Sequence, residues 1–302
     1  MTDAAFYSPA EVSQALGVST STIKRWVDDG VLPAHKTAGG HRKLLRADVL
    51  RLVRERNFPQ LDLTRLDLPA MREDADTAML SRRLLEGLHE GDMAVTRAVI
   101  HGAFAAGIPL ETLADDVIAP AMHRLGDDWA AGRIDVMHEH RGTLTCVAAL
   151  HELKPALEAS AHESRPMAIG GNPEGDHSLL ASLLIQMVLF DAGWDAVNLG
   201  PNTPLASFRM ALGELKPRLV WLSASHLPDA QCFLDEYREF YQEAEGAGVL
   251  VAIGGLAFQN SLRAMMPYTF YGDSLAHLAA FARTLHPRPR LPKRGRPARQ
   301  MP

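Results

Sequence analysis

The sequence predicts a multidomain α and α/β protein: an N-terminal winged helix-turn-helix, a four-helix bundle and a doubly wound parallel sheet. Three observations carry this. Residues 7–53 set a tight turn at Gly17 between two short helical patterns and a Gly-Gly hairpin before a third. Residues 72–161 hold only helical patterns, punctuated by Gly91, Gly107 and Gly132. From residue 166 onward, short apolar runs alternate with helical ones. The expected boundaries are 1–56, a linker over 57–70, the bundle over 71–161, the sheet over 165–286 and a tail over 287–302.

Within the head, Ser8 can cap the first helix, with Glu11 three residues on to complete a capping box. Pro9 takes the first helical position, where a missing N–H costs nothing. Ser19 caps the second helix, whose Ile23, Trp26 and Val27 face inward while Thr20, Ser21, Thr22, Lys24 and Arg25 face out. Hydroxyls and cations at the start of such a helix suit base edges and phosphates in the major groove of double-stranded DNA. The wing, Lys36–Leu45, turns at Gly39-Gly40 and presents His41, Arg42 and Lys43 to phosphates or the minor groove.

The linker reading rests on Pro59, Pro69 and the lack of a period between Asn57 and Ala70. Four helices with short connections then make a bundle. Strands are expected at 166–171, 195–200, 218–225 and 249–255, with a weak last one in YTFYG. Helices between them make a flavodoxin-like sheet, with ligand-binding loops at the strand carboxyl ends.

Charge sorts the modules further. The chain of 302 residues carries a net −5, yet residues 1–56 hold nine Lys/Arg against six acids, and 287–302 hold six Lys/Arg and no acid. Residues 57–286 therefore carry −14, and only the two ends suit contact with phosphates. No apolar run reaches membrane-spanning length and no signal pattern opens the chain, so a cytoplasmic protein without membrane contact is expected. Cys146 and Cys232 lack metal spacing and read as buried fillers. His89, His101 and His123 read as solvated helix-surface residues. No Gly-Lys-Ser/Thr loop and no dinucleotide fingerprint is present.

The stretch AEVSQALGVSTSTIKRWVDDGVLP with the wing TAGGHRKL resembles the MerR family over residues 6–54. That resemblance implies operator binding as a homo-oligomer, although no long coiled coil follows. At the other end, Pro292-Lys293-Arg294-Gly295-Arg296-Pro297 resembles an AT-hook core, and five prolines in the last seventeen residues predict disorder. Arg294 and Arg296 can enter an A·T minor groove, or the segment can act as a non-specific basic tail.

In residues 126–143, Trp129, Val136, Glu139 and His140 stand around the helix break at Gly132. They can line one cavity, or they are a core Trp beside an exposed charged helix start. The spacing Trp-x2-Gly-x-Ile-x-Val-x2-Glu-His resembles the helical cap before cobalamin-binding sheets. Together with the head, residues 6–285 resemble the light-responsive, adenosylcobalamin-binding repressors of the CarH/LitR type. The resemblance implies a non-enzymatic regulator in which Trp129, Val136, Glu139 and His140 hold the adenosyl group. It implies that His177 ligates cobalt from below, while Ser223, Ser225, Gly254 and Gly255 admit the nucleotide tail. It further implies a dimer or tetramer on DNA that light takes apart. The chain departs from the pattern at Gly175, where an acid is expected, at Leu180, where a glycine is expected, and at Ala130, where some photoreceptors carry a second His. Another tetrapyrrole, or no ligand, therefore stays open; an enzyme of the cobalamin-dependent methyltransferase or mutase kind, to which the sheet alone could belong, is opposed by the DNA-binding head, the basic tail and the lack of an attached catalytic domain.

Overall fold

In the computed structural model, residues 6–36, 39–56, 58–71, 74–158, 165–258 and 260–287 are described. The head runs β1 (Phe6–Tyr7), α1 (Pro9–Leu16), α2 (Thr20–Asp28), β2 (His35–Lys36), β3 (Arg42–Leu45) and α3 (Arg46–Glu55), with its small sheet ordered β1-β3-β2. Both bonds of the capping box form: the Ser8 N–H donates to Glu11 Oε2 at 2.6 Å and the Glu11 N–H to Ser8 Oγ at 3.2 Å. Gly17 ends α1 in the left-handed region at φ +64°, where a side chain would be strained. Val12, Leu16, Ile23, Leu44 and Leu50 close the core beneath it.

The expected linker is instead part of the fold. Its described residues turn through a 3₁₀ segment, Leu63–Leu66, and Leu63, Leu66 and Leu68 are buried. The Asp62 N–H donates to Ala15 O at 2.8 Å, and the Tyr7 hydroxyl donates to Leu66 O at 2.8 Å. The leucines follow neither a helical nor a strand period, which is why patterning alone missed them.

Four helical rods form the bundle, as expected. They are α4 (Thr77–Glu90), α5 (Met93–Ala105), a rod of α6 (Leu110–Thr112), a π segment (Leu113–Ile118) and α7 (Ala119–Ala130), and then α8 (Val136–Leu153). Asp76, Asp92 and Asp135 cap α4, α5 and α8. The wide π turn precedes Pro120, whose missing N–H removes the normal helical bond at that point. Helix α5 is enclosed almost all round, so His101 is fully buried rather than on the surface. Its Nε2 lies 2.9 Å from Ala149 O, and burial pushes its pKa down to about 4.

The sheet comprises β4 (Met167–Gly171), β5 (Asp195–Asn198), β6 (Leu219–Ser223), β7 (Leu250–Gly254) and β8 (Phe270–Gly272), all parallel and ordered β5-β4-β6-β7-β8. That is the flavodoxin-like order 2-1-3-4-5. Between the strands run α9 (Leu180–Asp191), α10 (Leu205–Leu215), α11 (Ala230–Gly246) and α12 (Asn260–Ala264), and α13 (Leu275–Leu285) follows β8. One apolar core joins α9 and α13 to the bundle and the head, while a second lies under α10 and α11 on the opposite face. Cys146 is buried as expected, but Cys232 is exposed on α11, whose buried face is formed by Phe233, Leu234, Tyr237, Phe240 and Ala244.

Replacing Leu66 by Ala, which leaves a void under the head, is expected to cost about 2–4 kcal/mol. Urea denaturation of the full chain measures it; no loss would return this segment to the status of a linker.

Candidate ligand cavity and nucleic-acid interface

Helix α2 presents the expected recognition face. Thr20, Ser21, Lys24 and Arg25 are exposed and Thr22 is half-buried. Part of the hydroxyl capacity is spent locally. Ser19 Oγ lies 2.7 Å from Ser21 Oγ and 2.9 Å from Thr22 Oγ1, and Thr20 Oγ1 lies 3.1 Å from Ser13 Oγ. The wing is braced against this helix by Arg42, which donates to Asp28 Oδ1 at 2.9 Å. That ion pair is invisible in the sequence because its partners lie fourteen residues apart. Lys24, His41, Arg42 and Lys43 rim one surface hollow with Ser8 and Asp28, so wing and helix share a basic edge. Arg294 and Arg296 lie outside the described residues.

At the carboxyl end of the sheet, loops carry His177, Ser225 and Gly255. The loop after β4 is stitched in place by Asn202, which the sequence did not mark, and by Asp176, one of the two acids, with Glu174, that could have stood in for the one missing at 175. Asn202 Oδ1 accepts from the Gly175 N–H at 2.8 Å, and the Asn202 N–H donates to Asp176 O at 2.7 Å. The buried Asp176 carboxylate accepts the backbone N–H groups of Ser178 (2.8 Å) and Ser225 (2.5 Å) and the Asn172 amide at 3.4 Å. Burial alone would raise its pKa, but these hydrogen bonds outweigh burial and hold it below the usual carboxylate range. Asp176 therefore ties two loops together and is not free to orient His177, whose ring is exposed above them.

The two departures in this loop have physical reasons. Gly175 has φ +85°, and a Cβ there would sit 2.4 Å from Pro228 Cγ, so an acid does not fit. Leu180 is half-buried and packs on the core shared by bundle and sheet.

At the strand carboxyl ends, between the sheet, α9 and the bundle, lies a cavity of about 220 Å³. Ser223, Gly254 and Gly255 line it, as expected, together with Trp221, Phe270 and Leu278. Gly255 is at φ +104°, and a Cβ on it would meet Ala224 O at 2.4 Å. Ser225 is not in the wall; it contributes its N–H to Asp176. Trp221 is buried and donates from Nε1 to Ser182 Oγ at 3.0 Å. The far wall comes from the bundle, through Ala114 and Asp115 of the π segment and Ala119. Asp115 caps α13, accepting the N–H groups of Leu275 (3.0 Å) and Ala276 (2.8 Å).

The four residues around Gly132 sit on the surface rather than inside a closed cavity: Trp129 is 48% exposed and Val136 39%. Glu139 joins His140 Nδ1 at 2.6 Å and Thr143 Oγ1 at 2.8 Å. Val136, His140, Leu144, Val147 and His151 fall at helical spacing on one stripe of α8. Its lower end, Val147 and His151, lines a hollow with Ser178 and Leu179 of the His177 loop. The stripe and the loop thus flank one open groove above the sheet.

Comparison with known proteins follows this division. A model described as a helix-turn-helix domain matches residues 6–57, and one described as a B12 binding domain matches residues 80–154, the helical bundle. The HTH-type transcriptional repressor CarA of Myxococcus xanthus is 24% identical over 281 residues, 89% of this chain and 93% of that one. CarH of the same organism is 26% identical over 269 residues, 82% and 88% of the two chains. This chain is homologous to both repressors. The Methanosarcina barkeri monomethylamine corrinoid protein superposes on 70% of the chain and all of its own, with a TM-score of 0.58 and 20% identity, which supports the bundle-and-sheet fold. Among the described residues no helix is long and apolar enough to cross a membrane, and no His/Cys/Asp/Glu cluster could hold a bare metal ion.

The Asp176 carboxylate gives a pH-dependent signature. A depressed carboxylate stabilises the fold above its unfolded pKa of about 3.9, and this is lost as pH falls through the folded value. Asp176→Asn, which sets an amide against the Ser225 N–H, is expected to cost about 1–3 kcal/mol at neutral pH. The deficit should shrink below about pH 4. Chemical denaturation of both proteins across pH measures it, and a pH-independent deficit would contradict the assignment.

Proposed function

We propose that this protein is a DNA-binding transcriptional repressor whose assembly on DNA is set by adenosylcobalamin and light. The observation that carries this reading is the cavity at the carboxyl end of the sheet, lined by Ser223, Gly254 and Gly255, in a chain headed by a braced winged helix-turn-helix. Homology to two repressors over most of the chain supports it.

The residues fit such a group. His177 offers an imidazole with no competing hydrogen bond from Asp176. Ser223, Gly254 and Gly255 leave the cavity open to a nucleotide tail, and a Cβ at Gly255 would crowd the Ala224 carbonyl. Trp129 and Val136 supply an exposed apolar surface to an adenosyl group, with the Glu139–His140 pair beside it as hydrogen-bonding partners. When bound, adenosylcobalamin supplies a light-labile cobalt–carbon bond. The protein responds only as far as its two arrangements differ in affinity for the intact group. Thr20, Ser21, Thr22, Lys24, Arg25, His41, Arg42 and Lys43 form the operator-facing surface. A cytoplasmic homo-oligomer, a dimer or tetramer, completes the reading, and the chain performs no catalysis.

A second reading is a regulator that holds another tetrapyrrole or nothing and works through protein contacts. Gly175 in the acid position and Trp221 in the cavity wall favour it.

Two measurements separate these. Protein incubated with adenosylcobalamin and gel-filtered is expected to retain a corrin spectrum that changes, with its elution volume, on green light. His177→Ala should alter the visible bands, and elution without pigment would leave the second reading. Separately, Lys24→Ala with Arg25→Ala should weaken binding to a mixed-sequence DNA duplex by about tenfold or more. It should also flatten the salt dependence by about two charge equivalents. Unchanged binding would remove α2 from the interface.

A further inference from the structure

Trp221 fills space between the sheet and α9, and its ring is buried and held at both ends. On β6 it pairs in register with Gly170 of β4, and the indole lies over that glycine, where a Cβ would collide with its Cγ and Cδ2. At the other end Nε1 donates to Ser182 Oγ of α9 at 3.0 Å, and the Ser182 hydroxyl donates in turn to Asn198 Oδ1 at 3.1 Å. The same Asn198 oxygen accepts the Gly200 N–H at 2.9 Å, so this chain of bonds ends on the loop after β5. Two voids meet it. Trp221 lines the 220 Å³ cavity, while its partners Ser182 and Asn198 line the hollow of about 270 Å³ that Ser178, Leu179 and His151 also border. No residue lines both. The indole and its hydrogen bonds therefore stand as a partition between the two.

We propose that Trp221 is a specificity-determining residue, which limits a group entering the cavity from the strand ends to one planar, apolar, fused pair of rings and shuts it out of the neighbouring hollow. This rests on the proposed function, in which the cavity receives the ligand's nucleotide tail, and adds which bases that tail can carry. Volume sets the limit. An apolar cavity of about 150 Å³ holds benzene. By that proportion 220 Å³ holds about half as much again, a ring pair such as benzimidazole. Chemistry sets the character. Leu184, Ile185, Phe270 and Leu278 supply apolar wall, and the indole N–H is committed to Ser182, so Trp221 offers an entering ring no hydrogen bond. A polar substituent pressed against it would be buried without a partner. Rigidity makes the limit sharp. The ring rests on the strand backbone and is tied to α9, so a larger group must break that tie or force the packing apart.

Three adenosyl corrinoids that differ only in the tail test this with the full chain in the dark. One carries benzimidazole as its lower base, one carries naphthimidazole, a ring longer, and adenosylcobinamide carries no base. Visible absorption titration gives the affinities. The native protein is expected to bind the benzimidazole form at least tenfold tighter than the naphthimidazole form, because overfilling a packed void costs that much. Trp221→Ala joins the two voids and should cut the preference below about threefold, with adenosylcobinamide affinity changed by less than about threefold. Trp221→Phe keeps a ring on Gly170 should the Ala variant fail to fold, and its preference should fall between the two. Equal affinity of the native protein for the two bases defeats the inference alone. So does a preference that persists in the folded variants, and so does an equal change for all three corrinoids, which would make Trp221 a structural residue only. If the native protein binds none of the three, the proposed function fails in its corrinoid form and this inference with it.

Discussion

The Asp191 carboxylate stands where three modules meet. It takes Arg54 from the head and Arg283 from the last helix of the sheet domain, and Arg283 also grips Glu111 of the bundle. Burial would raise the Glu111 pKa, but the Arg283 hydrogen bonds outweigh it and hold the carboxyl low. Exposed ion pairs contribute roughly 0–1 kcal/mol. This set matters more for its geometry, because removing one member leaves partly buried charges without partners. Around it the apolar core runs without a break from α1 through the bundle to one face of the sheet.

That continuity places the cavity at the boundary between sheet and bundle rather than inside either one. Its walls are strand ends on one side and the π segment of the bundle on the other, with Asp115 clamping the start of α13. Glu111 lies one turn before Asp115, so the wall of the cavity and the anchor of the head belong to one helical rod. A π turn inside a helix is rare and is found frequently at functional sites. A ligand that favours one arrangement of this rod would therefore bias where the head sits, through contiguous contacts rather than at a distance.

Much of the architecture could be read from patterns. Ser8 and Glu11 announced the first helix, the glycines at 91, 107 and 132 spaced the bundle, and short apolar runs marked all five parallel strands. The candidate site was legible in part. Ser223, Gly254 and Gly255 do line one cavity, whereas Ser225 serves through its backbone and the Trp129 group lies on an open groove. What no local pattern shows are the pairings between remote residues, Asp176 with Ser225 and Arg42 with Asp28, and the irregular leucines that dock the supposed linker. His101 was misplaced because a helix enclosed on every side has no polar face to betray it.

The sequence by itself determined the three modules, their helix caps and the basic recognition face, since each follows from local periodicity and short-range hydrogen bonding. Only the tertiary structure decided that the head is fastened to the body and that the bundle supplies a wall of the cavity. Those features depend on pairings such as Arg54–Asp191 and Asp115–Leu275, between residues more than a hundred positions apart. No local pattern records such a pairing, because its energy exists only once the core has brought the partners together.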